Sequence, residues 1–356
     1  MTWRIGLVGA GMIAPIHRDA IAAIADAELV GIMDNGSGRG RALAPDLDAT
    51  GADDLDAFVA RDDIDVVAIA SPSGAHRDAA LRAARAGKHC IVEKPMETTP
   101  ARIDEMIAAH REAGTVLGGI FNTRYTEGAQ LLRRAVEQGR FGRITFASAV
   151  GPWWRDQAYY DSSEWRGTWA LDGGGALMNQ GIHSVDLLQW VVGSPVRSVS
   201  ARTATLAHDR VEVEDTGAAC LEFDNGALGT IGCTTSMWPG HFRTITVAGD
   251  AGTAVLGDGD LLFWQFRDET ADDDAIRAAR LRLPGAGVGA SNPSAGIDPR
   301  GHQRAYEEFL QAVRAGTTPV VDGHEARKAV AIICAIYESA RRGGAAVAVE
   351  HGQSAR

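Results

Sequence analysis

Lys94 lies in the stretch CIVEKPMET (90–98), behind an apolar, strand-like run and directly before Pro95. A lysine so placed is aimed rather than merely solvated, and Pro95 stiffens the turn that aims it. A second chemical group lies in GGGALMNQGIHSVDLLQW (173–190), where a glycine turn opens a helix. Asn179, His183 and Asp186 stand there at i, i+4 and i+7, on one helical face. An imidazole with an ordinary pKa near neutrality accepts a proton. An ammonium stabilises the negative charge that develops on an oxygen losing that proton. Lys94 and His183 together therefore suit removal of an alcohol proton. Asn179 orients a hydroxyl without titrating. Asp186 has two readings: it orients His183, or it faces solvent or caps a neighbour.

What would accept a hydride from such an alcohol is indicated at the start of the chain. Gly9-Ala10-Gly11-Met12-Ile13-Ala14 is G-x-G-x-x-A, directly after an apolar run and opening a helix. Gly9 allows a tight turn, Gly11 lets backbone approach a pyrophosphate, and Ala14 keeps helix close to strand. The helix N-terminus offers amides and a positive dipole end to the phosphates. Asp34 closes the second strand, where a carboxylate accepts from ribose hydroxyls and repels a 2′-phosphate. NAD is the expected cofactor. Arg39 and Arg41 lie just beyond and leave NADP as the alternative.

These residues need a scaffold. WRIGLVGA (3–10), AELVGIMD (27–34), DVVAIASPS (65–73), HCIVEKP (89–95) and VLGGIFNTRY (116–125) read as strands alternating with helices. That rhythm predicts a doubly wound parallel sheet, an α/β Rossmann domain over 1–124. Strand ends carrying Ser71-Pro72 and Glu93-Lys94-Pro95 then face the cofactor crevice. Beyond residue 125 long β-rich segments follow, with Asn225-Gly226 as a hairpin turn. Residues 125–356 are expected to form an α+β domain with a large, mostly antiparallel open sheet that binds substrate and makes an oligomer. Small and apolar residues on both faces of TGAACLEF and GALGTIGCTT argue that a homodimer or homotetramer covers one face. Residues 268–300 read as a surface excursion whose acidic run DETADDD is a solvated face.

Composition narrows the function. The 356 residues are 45% hydrophobic and carry a net charge of −11, which excludes a basic nucleic-acid-binding face. No apolar run approaches the ~18 residues of a membrane span, so neither nucleic acid nor membrane is an expected partner. The apolar start is glycine-punctuated and lacks a cleavage site. Cys90, Cys220, Cys233 and Cys334 form no C-x-x-C pair and suit buried, reduced thiols of a cytoplasmic protein. No metal site is expected.

GAGMIA, EKP (93–95), WR (165–166), GGGALMNQGIHSVD (173–186) and AIYESARRGG together resemble the glucose–fructose oxidoreductase / inositol dehydrogenase / MocA family, over nearly the whole chain. The resemblance implies NAD(P)-dependent oxidation or reduction at a secondary alcohol of a sugar or cyclitol. It makes Lys94 and His183 the catalytic pair and puts Trp165 and Arg166 near the cofactor. The cofactor site is expected to comprise Gly9, Gly11, Met12, Ile13, Asp34, Ser71, Pro72, His76, Glu93, Lys94, Asn122, Trp165 and Arg166. The family often has aspartate where this chain has Asn179, which puts an aspartate-dependent proton relay in doubt. PWWRDQAYYDSSEWRGTW (152–169) mixes aromatic rings with polar side chains, as a pyranose requires. Substrate is expected at Lys94, Arg124, Trp154, Tyr160, Asn179 and His183, with Arg124, Arg155 or Arg166 able to take a carboxylate or phosphate. Two alternatives stand beside the dehydrogenase: an NAD-retaining enzyme that cleaves glycosides by transient oxidation and elimination, and a non-catalytic sugar or nucleotide sensor.

Overall fold

The computed structural model describes residues 2–51, 54–281 and 298–352. Six parallel strands form the first sheet: β1 (Trp3–Val8), β2 (Ala27–Asp34), β3 (Asp48–Gly51), β4 (Val66–Ile69), β5 (His89–Val92) and β6 (Leu117–Gly119). Their order is β3-β2-β1-β4-β5-β6, with the switch at β1/β4. β4 is buried on both faces, and its apolar run is what a doubly covered parallel strand needs. One face packs Ala79, Ala80 and Ala83 from helix His76–Arg85 with Ile103 and Met106 from helix Pro100–Ala113. The other packs Ala14, Ala20 and Ile21 of helix Ala14–Ala22. Tyr306, Phe309 and Leu310, from the late helix Arg300–Ala315, complete that second face. The first core therefore borrows a helix from near the end of the chain.

The second sheet has eight strands: β7 (Ile144–Pro152), β8 (Val196–Ala204), β9 (Thr216–Phe223), β10 (Leu228–Thr234), β11 (Thr244–Gly249), β12 (Gly252–Gly257), β13 (Asp260–Phe266) and β14 (Val347–Ala348). Their order is β13-β12-β11-β7-β10-β9-β8-β14, antiparallel except for β7 with β10. Burial alternates along β9, so Ala219, Leu221 and Phe223 face the core while Ala218 and Cys220 face outward. Helices Ile182–Val192 and Gly323–Arg341 cover the inner face. Cys220 is exposed, contrary to the expectation that all four thiols are buried.

The acidic run is for the most part the solvated face expected, with Asp268 and Glu269 exposed and one buried exception. Residues Ala271–Arg280 form a helix with a capping box between Thr270 and Asp273. Asp273 is buried, bonded to Arg140 and the Trp264 indole, while Asp272 and Asp274 face solvent. The rest of the expected excursion, 282–297, lies outside the described residues.

Candidate active site

β1 ends at Val8 and the chain turns at Gly9 with φ of +111°. A Cβ at Gly9 would lie 2.5 Å from the Ala70 carbonyl oxygen, so both conformation and contact demand glycine. A Cβ at Gly11 would meet nothing within 4 Å, which leaves open space beside the backbone. Met12 is exposed and Ile13 half-buried at the start of helix Ala14–Ala22, whose first turn holds Pro15. At the end of β2 the Asp34 carboxylate accepts from the Gly36 and Gly40 amides, both at 2.7 Å. A turn, an open backbone surface and a fixed carboxylate fit a dinucleotide with free ribose hydroxyls.

The same sheet edge carries the next group. Ser71 and Pro72 follow β4, and Asn122 follows β6. The buried His76 ring lies between the carbonyls of Ser71 (2.7 Å) and Pro95 (3.0 Å), joining the two strand ends. The Lys94–Pro95 peptide is cis. Glu93 turns away from Lys94 into a buried cluster. Its Oε1 lies 2.9 Å from His302 Nε2 and 3.2 Å from His17 Nε2, and its Oε2 accepts from the Lys94 amide at 3.0 Å. His17 Nδ1 in turn meets the Tyr306 hydroxyl at 2.7 Å. Burial would raise the Glu93 pKa, but the two histidines outweigh it and hold the carboxyl well below its usual range. Among the described residues this is the one grouping of metal-ligand types. His302 Nε2 makes a hydrogen bond to Glu93, whereas His17 Nε2 lies 3.2 Å away without forming one.

The Lys94 ammonium donates to the Asn179 carbonyl at 3.0 Å. That carbonyl belongs to a π-helical turn, Ala176–Gln180, which precedes helix Ile182–Val192. Asn179 and His183 thus do not share one continuous α-helix, as their spacing suggested. Such wide turns are frequent at functional sites. The turn is held from behind by Glu214, which accepts from the Gly175 amide (3.1 Å), the Leu177 amide (2.8 Å) and the Tyr337 hydroxyl (3.0 Å). A Cβ at Gly175 would lie 1.9 Å from the Glu214 carbonyl oxygen, so the glycine run is required by close approach. His183 is half-buried, edge-on to Phe121 with centroids 6.0 Å apart. Burial first, then the charges of Lys94 and Arg243, push its pKa well below the ordinary value. The neutral, proton-accepting form is favoured more strongly than the sequence suggested. Burial also lowers Lys94, with Glu93 and Asp172 opposing that shift.

Several expected residues are committed elsewhere. Arg124 was expected at the substrate. It is buried in an ion pair with Asp186, Nε to Oδ2 at 2.7 Å, and also reaches Glu325. Asp186 is buried on Arg124 rather than orienting His183 or facing solvent, a partner the sequence did not indicate. Tyr160 is buried, its hydroxyl 2.9 Å from Thr235 Oγ1 and its ring against His208, so it packs the second domain. Trp154 stays half-exposed beside Trp238. Arg166 is brought in: it stacks between Tyr159 and Trp165, and its Nη1 donates to the Tyr159 hydroxyl at 2.5 Å.

Residues that sequence reasoning passed over complete the site. Gln180 donates to Tyr159 at 2.7 Å and accepts from Arg155 at 3.0 Å. Asp172, buried just before the glycine run, accepts from the Asn179 carboxamide at 2.5 Å and from the Gly167 amide at 2.9 Å. An acidic residue flanking the glycine turn was the available signal for Asp172. Arg243, His17 and His302 carried none, because only the fold brings the two histidines to Glu93 and lets Arg243 act on His183.

The comparisons agree with this architecture. Residues 3–120 match the profile of the oxidoreductase family, NAD-binding Rossmann fold, and residues 129–255 that of the GFO/IDH/MocA C-terminal domain. The D-glucoside 3-dehydrogenase of Escherichia coli K12 is 27% identical over 372 residues, covering 96% of each chain. The myo-inositol 2-dehydrogenase of Thermotoga maritima is 29% identical, covering 70% of this chain and 73% of its own. The WlbA dehydrogenase of Bordetella pertussis, solved in complex with NADH and UDP-GlcNAcA, is 38% identical over 98% of both chains with a TM-score of 0.87. With an NAD-binding Rossmann domain, a matching C-terminal domain and relatives that are dehydrogenases and reductases of sugars and cyclitols, the chain belongs to the Gfo/Idh/MocA oxidoreductases.

Proposed function

We propose that the protein oxidises a secondary alcohol of a nucleotide-linked sugar acid of the UDP-GlcNAcA kind, with NAD as hydride acceptor. The observation that carries this reading is the charge of the pocket. Arg155 and Arg166 act on Lys94 from the second-domain loop, and Arg243 acts with Lys94 on His183. Of the two carboxylates beside Lys94, Glu93 is turned into its histidines and Asp172 onto Asn179. Arg243 is paired with Asp258 at 3.2 Å, and the remaining cations, Lys94, Arg155 and Arg166, outnumber Glu93 and Asp172, which suits an anionic sugar better than a neutral one. The likeness to the WlbA dehydrogenase over nearly the whole chain supports the same substrate class. The glycoside-cleaving alternative gains no such support.

NAD, held at Gly9, Gly11 and Asp34, would supply the hydride acceptor. The chain's own residues do the rest. Lys94 holds the reacting hydroxyl and stabilises developing alkoxide. His183 takes the hydroxyl proton on its neutral imidazole. Arg166, stacked on Tyr159 and Trp165, offers its charge to the acid group of the substrate. NADH formation across UDP-GlcNAcA, UDP-GlcNAc, glucose and myo-inositol tests this. Oxidation restricted to the acid is expected; equal turnover of the uncharged sugars would overturn the substrate class.

The same reading extends to assembly. Phe146, Val150, Leu228 and Phe263 are exposed on the second domain, with Leu228 60% accessible on β10. A second copy covering the open sheet is the occupant this surface fits. Sedimentation at micromolar concentration should show a dimer or tetramer; a monomer would contradict it.

A further inference from the structure

We propose that Asp172 is a positioning residue whose ionised carboxylate fixes the direction of the hydrogen bonds running through Asn179 to the substrate pocket. The inference rests on the reading of this site as that of an alcohol dehydrogenase with Lys94 at its centre.

The polarity of the chain of bonds carries the argument. Both oxygens of Asp172 accept, Oδ1 from Asn179 Nδ2 and Oδ2 from the Gly167 amide. Only an ionised carboxylate accepts on both sides without restriction. With its amide nitrogen bound there, Asn179 must turn its oxygen the other way, where Gln180 Nε2 lies at 3.3 Å. Gln180 Nε2 also donates to Tyr159, its oxygen accepts from Arg155, and Tyr159 receives Arg166. Asn179 supplies its backbone carbonyl to Lys94 as well. One carboxylate therefore sets which end of each amide faces the pocket, and the residue it holds also holds the lysine.

Protonating Asp172 reverses this. One of its oxygens becomes a donor, the Asn179 carboxamide is driven to flip, and Gln180 loses its acceptor. The proton is not remote from working conditions, because burial pushes the Asp172 pKa up to about 6. The charged and titratable groups that face it are Lys94 from the end of β5 and Arg166, Tyr159 and Tyr160 from the loop after β7. Lys94 and Arg166 oppose the rise without cancelling it.

The test compares the wild type with Asp172→Asn and with the exchanged pair Asp172→Asn/Asn179→Asp, each with NAD and the sugar alcohol that the wild type oxidises. In the wild type, turnover should fall on the acidic side with an apparent pKa near the 6 of Asp172. Asp172→Asn should lose roughly 10–10² in kcat, within the scale of a displaced catalytic group, with less change in KM and without that acid limb. The exchanged pair rebuilds a carboxylate–carboxamide contact in the opposite sense and should recover most of the loss. A wild type with a flat profile between about pH 5 and 7 overturns the proposal. So does a folded, NAD-binding exchanged pair no better than Asp172→Asn, or an Asp172→Asn enzyme that keeps the limb. Should Asp172→Asn fail to fold, the wild-type profile and the exchanged pair decide. Failure of the functional reading would look different: no sugar would reduce NAD in the wild type at any pH.

Discussion

Two buried carboxylates flank Lys94, and the protein treats them in opposite ways. Glu93 meets two imidazoles and a backbone amide and is held well below the usual carboxylate range. Asp172 has one amide and one neutral carboxamide, and burial raises it to about 6. Burial acts against both charges; the number and kind of donors decide which carboxylate keeps its charge. Glu93 is therefore a fixed countercharge behind the lysine, built into the first domain. Asp172 is a titratable group in the second domain, where small changes of proton activity reach the pocket.

Removing the lysine between them should have the largest effect. Lys94→Ala and His183→Ala should each lower turnover by roughly 10²–10⁴, with NAD binding retained. Their losses should combine to less than the product, because they serve one proton and one oxygen. Near-normal turnover of Lys94→Ala would place the chemistry elsewhere.

Glu93→Gln sharpens the contrast. It removes the countercharge that opposes the lowering of Lys94. The ammonium should then lose its proton at lower pH, so the alkaline limb of the rate profile moves toward neutrality. Folding stability should fall by about 1–3 kcal/mol, since the buried His302 imidazole loses a charged acceptor. An unmoved alkaline limb would mean that Glu93 only braces the fold.

Stability against pH separates the pair without any substrate. Asp172 has a native pKa above its ordinary 3.8, near 6, so its contribution is complete at low pH and is lost as pH rises through that window. Asp172→Asn should therefore gain on the wild type in denaturant unfolding between those values. Glu93, with its pKa held down, has the opposite sign: its contribution is present at neutral pH and is lost on acidification. Parallel curves for Asp172→Asn and wild type would erase the contrast.

A smaller change is expected at the cofactor. Asp34→Ala should reduce the preference for NAD over NADP by about tenfold, the scale of one charged hydrogen bond. Direct titration of both nucleotides measures it, and an unchanged ratio would assign the discrimination to another residue.

The alternation of apolar strands and helices up to Tyr125 was legible because a doubly covered parallel sheet leaves continuous apolar runs and glycine stops. The positions of Gly9, Gly11, Asp34 and Lys94 at turns and strand ends were legible for the same kind of reason, since they depend on local backbone alone. The second half was legible as an α+β domain with a large, mostly antiparallel sheet but not in its strand order, since alternation along β9 shows two faces without showing what covers either. Local spacing also misled. Asn179, His183 and Asp186 fit one helical face, yet a π-helical turn separates the first two, and Asp186 is spent on Arg124, a residue distant in sequence. What the amino-acid order determined alone was the set of elements and the local geometry at their ends. Which buried charges meet, Glu93 with His17 and His302 or Asp172 with Asn179 near Lys94, was decided only by the tertiary fold, which brings residues remote in sequence together. Ionisation in a buried site depends on neighbours within a few ångströms, and those neighbours come from remote parts of the chain.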